Sequence, residues 1–195
     1  MPLQDRLTAL LAQRSARRGH FTLASGRHST LYIDARLTTM SPEGLSLIGP
    51  LAHAALIQSQ WNVMSIGGLT LGADPISYAI SYASASTPTP LRSFTVRKEA
   101  KLHGTGKLIE GPFQAGDRVA IVEDVITTGG SALRAVQAVR DGGGVVAGVL
   151  ALVDREEGGK EAIMEAGLSV ISLVTASQIL LHLSDEIALP SQQDL

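Results

Sequence analysis

V-A-I-V-E-D-V-I-T-T-G-G-S, residues 119–131, is the stretch from which the rest of the chain is read. Val119, Ala120, Ile121 and Val122 form a short apolar run rich in β-branched side chains, which predicts a buried strand and not a helix. Glu123 and Asp124 follow where that strand is expected to end. Then come Val125 and Ile126, and Thr127, Thr128, Gly129, Gly130 and Ser131 make a loop of small residues. Apolar side chains at 132, 133, 136 and 139 have helical spacing and predict a helix over 132–141. The unit is strand, acidic pair, hydroxyl- and glycine-rich turn, helix.

Each part has a chemical use. Glycines let backbone N–H groups converge, and a helix N-terminus adds partial positive charge, so such a turn can cradle a phosphate. Carboxylates repel phosphate but accept hydrogen bonds from sugar hydroxyls. A phosphorylated sugar satisfies both halves. The plainer alternative is a strand–helix turn with a serine N-cap and solvated acids; the ordered combination of features favours a site. The turn is not a Walker A loop, because no Gly-Lys-Ser/Thr follows. Residues 142–147 fit G-x-G-x-x-A formally but precede a strand pattern, which rules them out as a dinucleotide fingerprint.

Outward from this unit the chain alternates. Strands are predicted over 63–66, 91–96, 145–153 and 168–173, and helices over 73–84, 159–166 and 176–183. Such alternation means a parallel sheet with helices on both faces, whose ligands bind at the carboxyl ends of the strands. Four features fall at those ends: the glycine-rich loop 67–72, the loop after Val96, the segment 123–131, and Asp154-Arg155. Before residue 62 the pattern differs. A helix is predicted over 5–18, stopped by Gly19, then two short strands over 21–26 and 31–34, then a helix opened by Ser41-Pro42-Glu43.

The totals exclude several classes. A chain of 195 residues, 45% hydrophobic and 17% charged, suits one domain with a substantial core. A net charge of −2 argues against a general nucleic-acid binder. The absence of cysteine means no disulfide and no thiolate metal site, compatible with the cytoplasm. The longest apolar run, 145–153, is too short to span a bilayer, and no signal peptide is expected. His20, His28, His53 and His182 are scattered without metal-ligand spacing.

Four lysines occur in the chain, and Lys98, Lys101 and Lys107 lie close together with Arg97 and His103 in R-K-E-A-K-L-H-G-T-G. A solvated loop is the bland explanation. In a lysine-poor protein the concentration points to an anion-binding loop, and such a loop can also exclude water.

E-D-V-I-T-T-G-G-S resembles the 5-phosphoribosyl 1-pyrophosphate (PRPP) motif of type I phosphoribosyltransferases. R-K-E-A-K-x-H-G is similar to the catalytic loop of the orotate phosphoribosyltransferases, as are F-T-L-A-S-G-R-H-S-T-L-Y-I-D near the N-terminus and the arginine after V-L-A-L-V-D. The resemblance covers most of 19–157. It implies transfer of phosphoribose from PRPP to orotate, with Mg²⁺ held mainly by the substrate pyrophosphate and water, in a cytoplasmic homodimer with shared active sites, and no nucleic-acid or membrane partner. The implied fold is α/β, a type I phosphoribosyltransferase-like parallel sheet flanked by helices in a single domain, with a small N-terminal hood (about 1–40), a core (about 41–184) and a polar tail (185–195). It assigns Glu123 and Asp124 to the ribose hydroxyls and Val125, Ile126, Thr127, Thr128, Gly129, Gly130 and Ser131 to the 5′-phosphate. Arg97, Lys98, Lys101 and His103 would contact pyrophosphate, and Thr127 and Arg155 orotate. Lys101, His103 and Asp124 are the expected catalytic residues.

Physical chemistry supports these roles. The planar guanidinium of Arg155 suits a carboxylate, although a surface pair with Asp154, Glu156 or Glu157 would also explain it. Adjacent acids on extended backbone point to opposite faces, so Glu123 and Asp124 do not flank one bond as a glycosidase pair does; they are expected to offset positive charge developing on the ribose. Tyr32 and Ile33 either lie over the orotate ring or are packed. Ala24 and Leu71 stand where some members have lysine, which implies fewer cations near the phosphates. The competing readings are a phosphoribosyltransferase for another base and a PRPP-sensing regulator. The catalytic loop and Arg155 weigh against the first, and the charge balance against the second.

Overall fold

The computed structural model describes residues 1–22, 28–99 and 108–183. In chain order the elements are α1 (Leu3–Ser15), β1 (Ala16–Thr22), β2 (His28–Ile33), α2 (Arg36–Thr39), α3 (Pro42–Gln58), β3 (Ser65–Leu69), α4 (Ala73–Ser84), β4 (Arg92–Val96), β5 (Ile109–Glu110), β6 (Arg118–Ile126), α5 (Gly130–Asp141), β7 (Val145–Asp154), α6 (Gly159–Glu165), β8 (Ser169–Thr175) and α7 (Ala176–Leu180). The main sheet has six strands in the order β5-β4-β3-β6-β7-β8, parallel except for the β4–β5 pair. β1 and β2 make a separate antiparallel pair.

β6 is central because it is apolar on both faces, as a strand covered by helices on two sides must be. Val119 and Ile121 enter one core with Ala132, Ala135, Val136 and Val139 of α5 and Ile163 of α6. Ala120 and Val122 enter a second core, shared with α3, α4 and Leu7, Leu10 and Leu11 of α1. The N-terminal helix is thus packed into the same core as the sheet. Among the described residues, no helix is long and apolar enough to cross a membrane.

Four expectations are corrected. The helix expected over 5–18 stops at Ser15, and Ala16, Arg17 and Arg18 instead pair with Ile33, Tyr32 and Leu31. Cross-strand pairing outcompetes another helical turn, so Gly19 is a strand residue and not a helix stop. The strand expected over 63–66 lies at Ser65–Leu69; Gly67 and Gly68 fit it because a side chain at either would strike Phe94 or the Val122 carbonyl. The acidic pair does not follow β6 but lies within it. β7 is long enough to extend the ladder, pairing Glu123 with Ala151, Val125 with Val153 and Ile126 with Asp154. Finally, a short strand, β5, was not foreseen: the Arg97 N–H donates to the Leu108 carbonyl at 2.8 Å, bringing together the two ends of the basic segment.

Candidate active site

The turn after β6 is built around Gly129. Its φ is +80°, in the left-handed region, and a Cβ there would lie 2.8 Å from the Gly159 carbonyl oxygen and against Ile163. Gly129 is the N-cap of α5, and no side chain caps that helix. A serine cap, the ordinary alternative for this turn, is therefore not what forms, and the first helical N–H groups are not claimed by a side-chain cap. Glu123, Val125, Ile126, Thr127, Thr128, Gly129, Gly130 and Ser131 line one open cleft of about 270 Å³, solvent at its mouth included. Every residue expected in the phosphoribosyl turn except Asp124 is in that lining.

Asp124 sits beside the cleft. Its Oδ1 accepts the Val125 N–H at 2.9 Å, and a Cβ on Gly72 would run into its carboxylate. Asp124 thus rests on the glycine-rich loop after β3, in which the Thr70–Leu71 peptide is cis. Glu123 is buried, and its Oε2 has no hydrogen-bond partner. Burial first, and then the neighbouring Asp124 carboxylate, pushes its pKa up to about 9. The two carboxyls are close enough for one to hold a proton beside the other.

Sequence reasoning missed a cation here. Arg36 at the start of α2 is held by two hydrogen bonds to Asp34, at 2.8 and 2.9 Å. The Arg36 guanidinium holds the Asp34 carboxyl below the usual carboxylate range. The Arg36 pKa is raised, by Asp34 foremost and also by Asp124. The available signal was the D-A-R spacing directly after the strand carrying Tyr32.

Arg155, at the end of β7, is buried rather than paired at the surface. One guanidinium nitrogen donates to Ser29 Oγ at 2.9 Å, to the Leu31 carbonyl at 2.8 Å and to Glu157 Oε1 at 2.6 Å. Its Nε is buried without a partner. Of the three acids weighed, Glu157 is the partner. The Arg155 N–H also donates to the Ile126 carbonyl at 3.0 Å, placing this residue beside the turn. Tyr32 is exposed, its ring 5.4 Å from that of Phe21, whereas Ile33 packs into the core.

Arg97 leaves the end of β4 with its guanidinium 3.7 Å from Glu110. The Lys98 carbonyl accepts from Arg134 of α5 at 3.1 Å, so the root of the basic loop is tied to the turn's own helix. Lys101, His103 and Ala24 lie outside the described residues. Among the described residues, no group of three or more His, Asp or Glu could hold a metal ion.

No family model matches the chain. It is 45% identical over 180 residues to the orotate phosphoribosyltransferase of Aquifex aeolicus, covering 91% of this chain and 97% of that one. With the enzyme of the same name from Rhodopseudomonas palustris the identity is 47% over 179 residues, 90% and 95% of the two chains. Among solved structures, orotate phosphoribosyltransferase from Mycobacterium tuberculosis in complex with Fe(III) dicitrate superposes with a TM-score of 0.79 at 42% identity, over 91% of this chain and 99% of that one. The complex of that protein with PRPP gives 0.76 at 40% identity, with the same coverage.

Proposed function

The chain belongs to the orotate phosphoribosyltransferase family, and from that premise we propose how its own residues share the reaction. The protein is an enzyme that transfers 5-phosphoribose from PRPP to orotate, giving orotidine 5′-monophosphate and pyrophosphate. The observation that carries the residue assignment is the cleft in which a buried acid, a hydroxyl-rich turn and a helix N-terminus without a side-chain cap meet.

In this reading the N–H groups and hydroxyls from Val125 to Ser131 take the 5′-phosphate, and the Glu123 and Asp124 carboxyls take the ribose hydroxyls. As pyrophosphate departs, positive charge grows on the ribose ring, and the Asp124 carboxylate offsets it. Arg155 takes the orotate carboxylate: Ser29, Leu31 and Glu157 all accept from one of its guanidinium nitrogens, so the planar fork keeps further donors for a carboxylate. Arg97, Lys98, Lys101 and His103 neutralise the departing pyrophosphate.

Mg²⁺ belongs to the same proposal, carried by the substrate. Two neighbouring carboxyls, one holding a proton at neutral pH, make a poor cage for an ion that wants six oxygens, so phosphate oxygens and water would supply its shell. A homodimer with shared sites, a place in pyrimidine nucleotide synthesis and a cytoplasmic location complete the reading.

The test is incubation with PRPP, Mg²⁺ and a panel of bases while pyrophosphate release is followed. Orotate should react efficiently, and uracil, which lacks the carboxylate, poorly. Equal rates with both would remove Arg155 as the selector.

A further inference from the structure

Asp74 belongs to none of the motifs read from the sequence, yet its carboxylate joins the loop that borders the acidic pair to the end of β4. It stands in the first turn of α4 and is 8% exposed. Thr70 Oγ1 donates to its Oδ2 at 2.6 Å, and Thr95 Oγ1 donates to its Oδ1 at 2.8 Å. Thr70 lies in the loop that ends at Gly72, the residue against which Asp124 rests. Thr95 is the penultimate residue of β4, just ahead of Arg97, where the basic loop departs. The Tyr78 hydroxyl, one turn further along α4, lies 3.2 Å from Thr95 Oγ1.

A buried carboxylate that accepts from two segments makes short, charge-assisted hydrogen bonds with defined directions. It fixes those segments relative to each other. The approach of Gly72 to Asp124 leaves no room for one extra carbon, so a shift of the loop would be felt directly at the acid. A displacement of about 1 Å at a reacting centre can cost ~100-fold in rate.

We propose that Asp74 is a positioning residue for the pyrophosphate half of PRPP, holding the Thr70–Gly72 loop in register with the root of the basic loop at Arg97. The proposal rests on the functional reading above. Its rival is that Asp74 merely favours the N-terminus of α4, where any acid is stabilising. The two differ over Thr95, because a helix-terminal acid has no need of that hydroxyl.

Pyrophosphate and ribose 5-phosphate probe the two halves of the substrate separately. Their binding, in the presence of Mg²⁺, can be measured for the intact protein and for Asp74→Asn, Thr95→Val and Thr95→Ser, with Tm recorded for each. Thr95→Val and Asp74→Asn should weaken pyrophosphate by about tenfold, the scale of one hydrogen bond to a charged group. Ribose 5-phosphate should bind within about twofold of the unaltered protein, and Thr95→Ser, which keeps the hydroxyl, should restore pyrophosphate binding. Unaltered pyrophosphate binding in Thr95→Val, or equal loss of both probes, would overturn the proposal and leave Asp74 a stabilising acid. Failure of the unaltered protein to bind either probe would overturn the parent reading, and this one with it.

Discussion

Glu123 carries the clearest consequence at the scale of a single residue. Its pKa rises from 4.5 to about 9 on folding. Between those values the folded protein keeps a proton that the unfolded chain releases, so stability falls as pH rises through the window and levels off above it. Glu123→Gln removes the titration. Its Tm should exceed that of the unaltered protein by a margin that widens from about pH 5 to about pH 9, reaching at least ~1 kcal/mol, or roughly 2–4 °C at this chain length. Thermal melts across that range check it, and a margin independent of pH would mean that Glu123 is already ionised. Sugar hydroxyls donating to the carboxylate would favour its charged form, so ribose 5-phosphate should expel a proton on binding, visible as heats that depend on the buffer. Arg155 gives a second test. Arg155→Ala should raise KM for orotate far more than KM for PRPP, and equal effects on both would count against its assignment.

At the scale of elements, the strand–turn–helix unit makes its own prediction. Gly129 and Gly116 both have left-handed φ values, +80° and +89°, but Gly116 has open space around it while Gly129 abuts Gly159. Alanine at either should destabilise by about 1 kcal/mol or more. Only Gly129→Ala should raise KM for PRPP, by at least about tenfold, because only it displaces the N–H groups of the turn. An unchanged KM would detach the turn from the phosphate. This unit was legible in the sequence because its periodicity switches from strand to helix across a glycine turn. The end of β6 was not, since acids at a strand terminus look like a stop until a longer neighbour, β7, supplies partners for them. Nor was the end of α1, where the pairing of Arg17 and Arg18 with β2 depends on residues far along the chain. For the same reason the site was read in part. The residue types of the turn announce a phosphate, whereas the proton on Glu123, the choice of Glu157 by Arg155 and the bridge at Asp74 arise only from packing between elements.

At the scale of the whole molecule, two chains are expected to build each site. A loop of about ten residues spans up to ~35 Å when extended, enough to cross a two-fold interface. Asp124→Asn damages the acidic pair and Lys101→Ala the basic loop, so each homodimer should be inactive. After subunit exchange half the dimers are hybrids, and one site in each hybrid combines both intact parts, so about a quarter of the unaltered activity should return. Hybrids that form but stay inactive would show that loop and turn come from one chain. The claim beneath all of this is that PRPP binds at the carboxyl ends of the strands, around 123–131. Amide hydrogen exchange with and without PRPP and Mg²⁺ tests it most directly, because it reads every segment at once. PRPP should slow exchange at 123–133 and at 67–72, and leave unchanged the opposite end of the sheet, where Met64 bonds to Arg118 and Gly116 to Gly143. Protection confined to that opposite end, or none at 123–133 with PRPP bound, would contradict the account.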